Sequence, residues 1–75
     1  MRDVGIEPGG IRLGQLLKLA GVIDAGAEAK ELLAAGEVTV NGEPEARRGR
    51  RLDAGDVVVA AGETLRVVRS SPARG

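Results

Sequence analysis

At Gly36 the apolar residues change period, from the three-and-four spacing of a helix to the alternation of a strand, and Asn41-Gly42 then turns that strand back. No other stretch constrains the fold so tightly. Val38 and Val40 flank Thr39, and a two-residue type I′ hairpin turn needs positive φ at both central positions, which Asn-Gly accepts readily. The segments on either side of residues 36–51 (GEVTVNGEPEARRGRR) are therefore organised around a hairpin.

Upstream the spacing is helical. Leu13, Leu16, Leu17 and Ala20 fall at i, i+3, i+4 and i+7, with Arg12, Gln15, Lys18 and Leu19 on the opposite face and Gly21 placed to close the helix. A helix this short is marginal in isolation, so its stripe must pack against something. Residues 21–26 (GVIDAG) read as a tight connection in which Val22 and Ile23 plug the gap and Asp24 is a candidate cap. A second helix is expected over 27–35, with Ala29, Leu32 and Leu33 buried, Glu28, Lys30 and Glu31 solvated, and Gly36 as its stop. The two form a helix-turn-helix-like pair. Val4 and Ile6, alternating with Gly5 and Glu7 before Pro8-Gly9-Gly10, permit a short edge strand.

Downstream of the turn, residues 43–46 lead outward into Arg47, Arg48, Gly49, Arg50 and Arg51. Leu52 re-enters the core and residues 53–56 (DAGD) turn again. Residues 57–60 (VVVA) are too apolar to be solvated on both faces, and Leu65, Val67 and Val68 supply the last strand. Residues 70–75 (SSPARG) read as a disordered tail. The expectation is one α+β domain over 1–75, with its core at about 11–68: two short helices on a small, bent antiparallel sheet.

Seventy-five residues lie near the lower limit for a self-supporting core, and this chain has no staples. It contains no Cys and no His, which removes disulfides, thiolate metal sites and the commonest metal ligand, so neither metal nor cofactor is expected. The lack of thiols fits a reducing cytoplasm. The first ten residues carry acids and glycines rather than the apolar stretch of a signal peptide, and no run approaches membrane-spanning length. Phe, Tyr and Trp are absent too, so the core is Leu, Val, Ile and Ala, and there is no ring on which an unpaired base could stack.

Catalysis finds little to work with. Ser70, Ser71, Thr39 and Thr64 have no histidine to activate them. Glu43 and Glu45 stand beside four arginines, which hold carboxylates ionised when a general acid needs the reverse. Gly9-Gly10 belongs to neither a GxGxxG nor a P-loop pattern. The chain is not expected to be an enzyme.

Charge is where the chain departs from the ordinary. It has 11 basic and 11 acidic residues, and residues 47–51 hold four of the cations and no anion, which leaves 7 against 11 elsewhere, a net of minus four. Charge alone leaves two readings open, a solvated loop or an anion-binding surface. The exposed Glu43 and Glu45 would pair with the arginines too weakly to hold them, since such pairs are worth about 0 to 1 kcal/mol.

The ordered string from Ile11 to Val58, IRLGQLLKLAGVIDAGAEAKELLAAGEVTVNGEPEARRGRRLDAGDVV, resembles the RNA-binding domain named after ribosomal small-subunit protein four, also called the alpha-L motif, in its small stand-alone bacterial form. The resemblance implies a helix pair packed on a small bent sheet, with structured RNA held by basic residues on the helices and the loop after the turn. The matching positions are Arg12, Lys18, Lys30, Asn41, Gly42, Arg47, Arg48, Arg50 and Arg51. It further implies ribosomal or transfer RNA, or a ribosomal particle, as partner. Many members have Ser-Arg where the second helix begins; Ala25 and Gly26 stand here, so the resemblance does not carry a phosphate contact over to that point.

Two other classes compete. A ubiquitin-like sulfur-carrier or protein-interaction module shares short strands, a VNGE turn and a final Gly75, but such carriers put the hairpin first and end in Gly-Gly. DNA reading by the second helix is opposed by its composition, Lys30 against two acids.

Overall fold

The computed structural model describes residues 1–24 and 26–70. Strand β1 (Arg2–Ile6) turns Val4 and Ile6 into the core, and after a turn at Pro8 and Gly9 a two-residue strand, β2 (Ile11–Arg12), runs straight into helix α1 (Leu13–Leu19). Leu13, Leu16 and Leu17 are fully buried, while Gln15, Lys18 and Leu19 face solvent, so the stripe read from the spacing is the packed face. Helix α2 (Gly26–Ala34) buries Ala29 and Leu33, whereas Leu32, expected in the core, is only partly covered.

Both helices stop where their glycines stand, through the same pair of bonds. Gly21 N–H donates to the Lys18 carbonyl at 3.1 Å and Val22 N–H to Leu17 at 3.0 Å; Gly36 N–H donates to Leu33 at 3.1 Å and Glu37 N–H to Leu32 at 3.2 Å. This Schellman arrangement satisfies carbonyls that a helix end would otherwise orphan.

The remaining strands are β3 (Val38–Val40), β4 (Glu43–Pro44), β5 (Arg51–Leu52), β6 (Val57–Ala60) and β7 (Glu63–Arg69). The β3–β4 turn is the expected one, with φ of 53° at Asn41 and 86° at Gly42. Five strands form one sheet in the order β1-β7-β6-β3-β4, and β2 pairs with β5 in a separate ribbon.

The sheet is mixed rather than antiparallel throughout. β1 runs parallel to β7, Val4 opposite Val67, and a parallel pair needs a long connection, here supplied by everything between the first and last strands. Val58, Ala60, Leu65 and Val67 are buried in one core cluster with the apolar residues of α1 and α2, and Val4 and Ile6 join it, so the core extends N-terminally beyond residue 11. Asp3 and Arg66, cross-strand partners, form a two-bond ion pair at 3.0 Å, and Arg66 holds the Asp3 carboxyl below its usual range chiefly by that hydrogen bonding. Ser70, expected in a free tail, donates its N–H to the Ile6 carbonyl at 2.8 Å; residues 71–75 lie outside the described part.

Candidate nucleic-acid interface

Residues 45–50 connect β4 to β5, and a carboxylate shapes them. Glu45 N–H donates to the Val38 carbonyl at 3.0 Å, which ties the start of the loop to β3. Its side chain, only 9% exposed, accepts from Arg50 Nη1 at 2.9 Å, from the Arg47 backbone N–H at 2.9 Å and from Arg47 Nε at 3.3 Å. The Arg50 hydrogen bond first, then the Arg47 backbone and side chain, lower its pKa from 4.5 to about 2. For Glu45 this corrects the expectation of an exposed acid that pairs too weakly to hold the arginines, whereas Glu43 is exposed as expected. Arg50 is drawn in beside Glu45, while Arg47 keeps 78% of its side chain exposed although it is paired.

The far side of the loop is fastened to α1. Leu13 N–H donates to the Arg50 carbonyl at 2.8 Å and Gly14 N–H to the Arg48 carbonyl at 2.9 Å, so loop carbonyls satisfy the first donors of the helix. Arg12 Nη1 donates to the Gly49 carbonyl at 2.9 Å, and Gln15 Oε1 accepts from the Arg12 N–H at 3.2 Å. Gly14 is buried beneath the stem of Arg48: a Cβ there would stand 2.4 Å from Arg48 Cγ and 3.0 Å from Cδ. Neither crowding nor a left-handed backbone requires the glycine at 49, and space is open on its outer side.

These contacts bring part of the expected set together. Arg12, Lys18 and Arg48 surround an open depression of about 410 Å³ floored by Gly14 and Ala29. Arg48 also borders the neighbouring depression, with Lys30. Among the described residues no carboxylate lines either one, and none forms an ion pair with Arg12, Lys18, Lys30 or Arg48. Arg51 lies directly across the β2–β5 ribbon from Arg12 and donates to the Gly9 carbonyl. Two like charges facing each other across strands repel, and an anion would relieve them.

The hairpin turn is occupied differently. Asn41 Nδ2 donates to Asp56 Oδ1 at 3.1 Å, and Asn41 Oδ1 accepts the Val57 N–H at 2.9 Å, so this side chain clasps the turn to the start of β6. Neither Asn41 nor Gly42 lines the two basic depressions. Among the described residues no group of three or more Asp or Glu side chains is placed to hold a metal, and no helix is long and apolar enough to cross a membrane.

The S4 domain family model matches residues 4–68. The chain belongs to the S4-domain family. This S4 domain is 52% identical over 59 residues to a Bacillus subtilis protein named "Probable ribosome maturation protein RlbA", a match covering 79% of this chain and 83% of that one. It is 41% identical over 58 residues to Escherichia coli YbcJ, covering 77% and 83%. A solution structure of YbcJ, described as revealing an alpha-L motif involved in RNA binding, superposes with a TM-score of 0.64 at 39% identity, over 89% of this chain and 84% of that one. The family assignment removes the sulfur-carrier alternative.

Two residues that shape the S4 domain's basic surface are invisible to a search for cations, Gly14 in α1 and Glu45 in the loop. A glycine in the first turn of an otherwise helical pattern is a signal of close approach, and it would have found Gly14. Glu45 carries no such mark, because its burial depends on the return of the chain from Arg47 to Arg50.

Proposed function

We propose that this S4 domain binds structured RNA without catalysing a reaction, the RNA being ribosomal or transfer RNA, alone or within a ribosomal particle. The observation that carries the proposal is the convergence of Arg12, Lys18 and Arg48 on one depression that no described carboxylate enters. Arg47, Arg51 and Lys30 extend the cationic surface, and Arg50 supports it from within. Arginine suits the task because its planar fork donates two bonds to one phosphate and stays charged at every relevant pH. With no aromatic side chain in the sequence, recognition falls on backbone and shape rather than on stacked bases. The open side of Gly49 admits a close-lying backbone. The ribosome-maturation name of one relative and the RNA-binding description of the YbcJ motif support the same reading.

The test is a filter-binding comparison of folded ribosomal and transfer RNA, single-stranded RNA and duplex DNA at one salt concentration. Folded RNA is expected to bind tightest. Equal affinity for all, or preference for duplex DNA, overturns the proposal.

A further inference from the structure

A carboxylate inside a cationic loop that faces RNA is, by charge alone, a residue such a surface is better without. Glu45 sits in that position, yet it is nine-tenths buried and turned toward its own loop. Resting on the RNA-binding reading above, we infer that Glu45 is a positioning residue: it holds the arginine loop in its binding shape, so that removing this negative charge weakens RNA binding.

Three observations converge on it. The carboxylate takes three bonds from two residues of the loop, the Arg47 N–H and Nε and the Arg50 Nη1, and the loop closes between the same two, Arg50 N–H donating to the Arg47 carbonyl at 3.2 Å. Arg47, Arg48, Arg50 and Arg51 repel one another, and a single buried anion at the base of the loop offsets that repulsion while leaving Arg48 to face outward. The loop so closed presents the carbonyls of Arg48 and Arg50 to Gly14 and Leu13, which fixes Arg48 on α1 beside Arg12 and Lys18. Glu45 thus links β3, the arginine turn and α1 in one path of hydrogen bonds. A loop held this way has little left to order when RNA arrives, and ordering rotamer-rich side chains is a main cost of association.

Glu43, two residues earlier, supplies the control. It is exposed and forms no ion pair among the described residues, so Glu43→Gln and Glu45→Gln each remove one negative charge from the same hairpin. Electrostatics alone requires both variants to bind folded ribosomal RNA at least as tightly as the parent. The positioning role requires Glu43→Gln to bind as tightly or more tightly, and Glu45→Gln to bind about tenfold more weakly. Affinities are measured at a temperature where circular dichroism shows every variant folded, and the Arg47 amide is followed by proton–nitrogen NMR and hydrogen exchange. Glu45→Gln is expected to lose Arg47 amide protection while α1 and the sheet keep theirs, a change that a general loss of stability would not confine to the loop. Glu45→Asp, which keeps the charge but shortens the arm, serves if the Gln variant does not fold, and weaker binding is expected there too. Affinity of the folded Glu45 variants equal to or above that of Glu43→Gln overturns the inference. Absence of RNA binding by the parent chain overturns instead the reading on which it rests.

Discussion

At the scale of single residues, the basic surface depends on two residues that carry no positive charge, Gly14 and Glu45. Gly14 lets the Arg48 stem lie against α1, and Gly14→Ala sets the advantage of Ala in a helix, up to about 1 kcal/mol, against an overpacking cost of about 1–3 kcal/mol. The contact at 2.4 Å makes the second term win, and a net loss of about 1 kcal/mol is expected in urea denaturation. Glu45 makes acid stability readable. Its pKa is depressed from 4.5 to about 2 by Arg50 and Arg47, so the stability it contributes is complete above its ordinary value and disappears as the pH falls through that window. Thermal melts of Glu45→Gln should lose less stability between pH 5 and pH 2 than the parent, and the Asp3–Arg66 pair should leave a residual acid slope. Identical slopes in the two proteins would refute the clamp.

Elements show which features local pattern carries. The stripes of α1 and α2, their glycine stops and the Asn41-Gly42 turn were legible because each is decided within a few residues. The parallel pairing of β1 with β7 and the two-residue ribbon of β2 and β5 were not, since each joins segments far apart in sequence, and the strands of the ribbon are too short for a periodic pattern. The site divides along the same line: its cations were legible as residue types, while the burial of Glu45 and the covering of Gly14 are long-range outcomes. Asn41 stands between the two cases. Its turn role was legible, but its clasp on Asp56 and Val57 spans the hairpin and β6. Asn41→Ala removes that clasp and puts a less tolerant residue at positive φ, with an expected loss of about 1–3 kcal/mol in chemical denaturation. Leu52 is fully buried at the end of the arginine loop, and Leu52→Ala is expected to cost about 2–5 kcal/mol, a large share of the stability of a domain this small.

On the scale of the whole molecule, formal neutrality conceals a separation of charge across α2. One flank of the helix carries Lys30 toward the basic depressions, while the other carries Glu31 toward a groove that Glu28 and Glu37 also line. Such a distribution steers a polyanion to one side and away from the other. The surface that results is the central claim, and its salt dependence tests it most directly. If roughly five phosphates are neutralised, log affinity for folded RNA should fall against log salt with a slope of about −3.5 to −4.5. Replacing Arg12, Lys18 and Arg48 together by Gln should make that slope shallower by about 2 to 3. A parent slope near zero, or a triple variant with the parent's slope and affinity, would contradict the account.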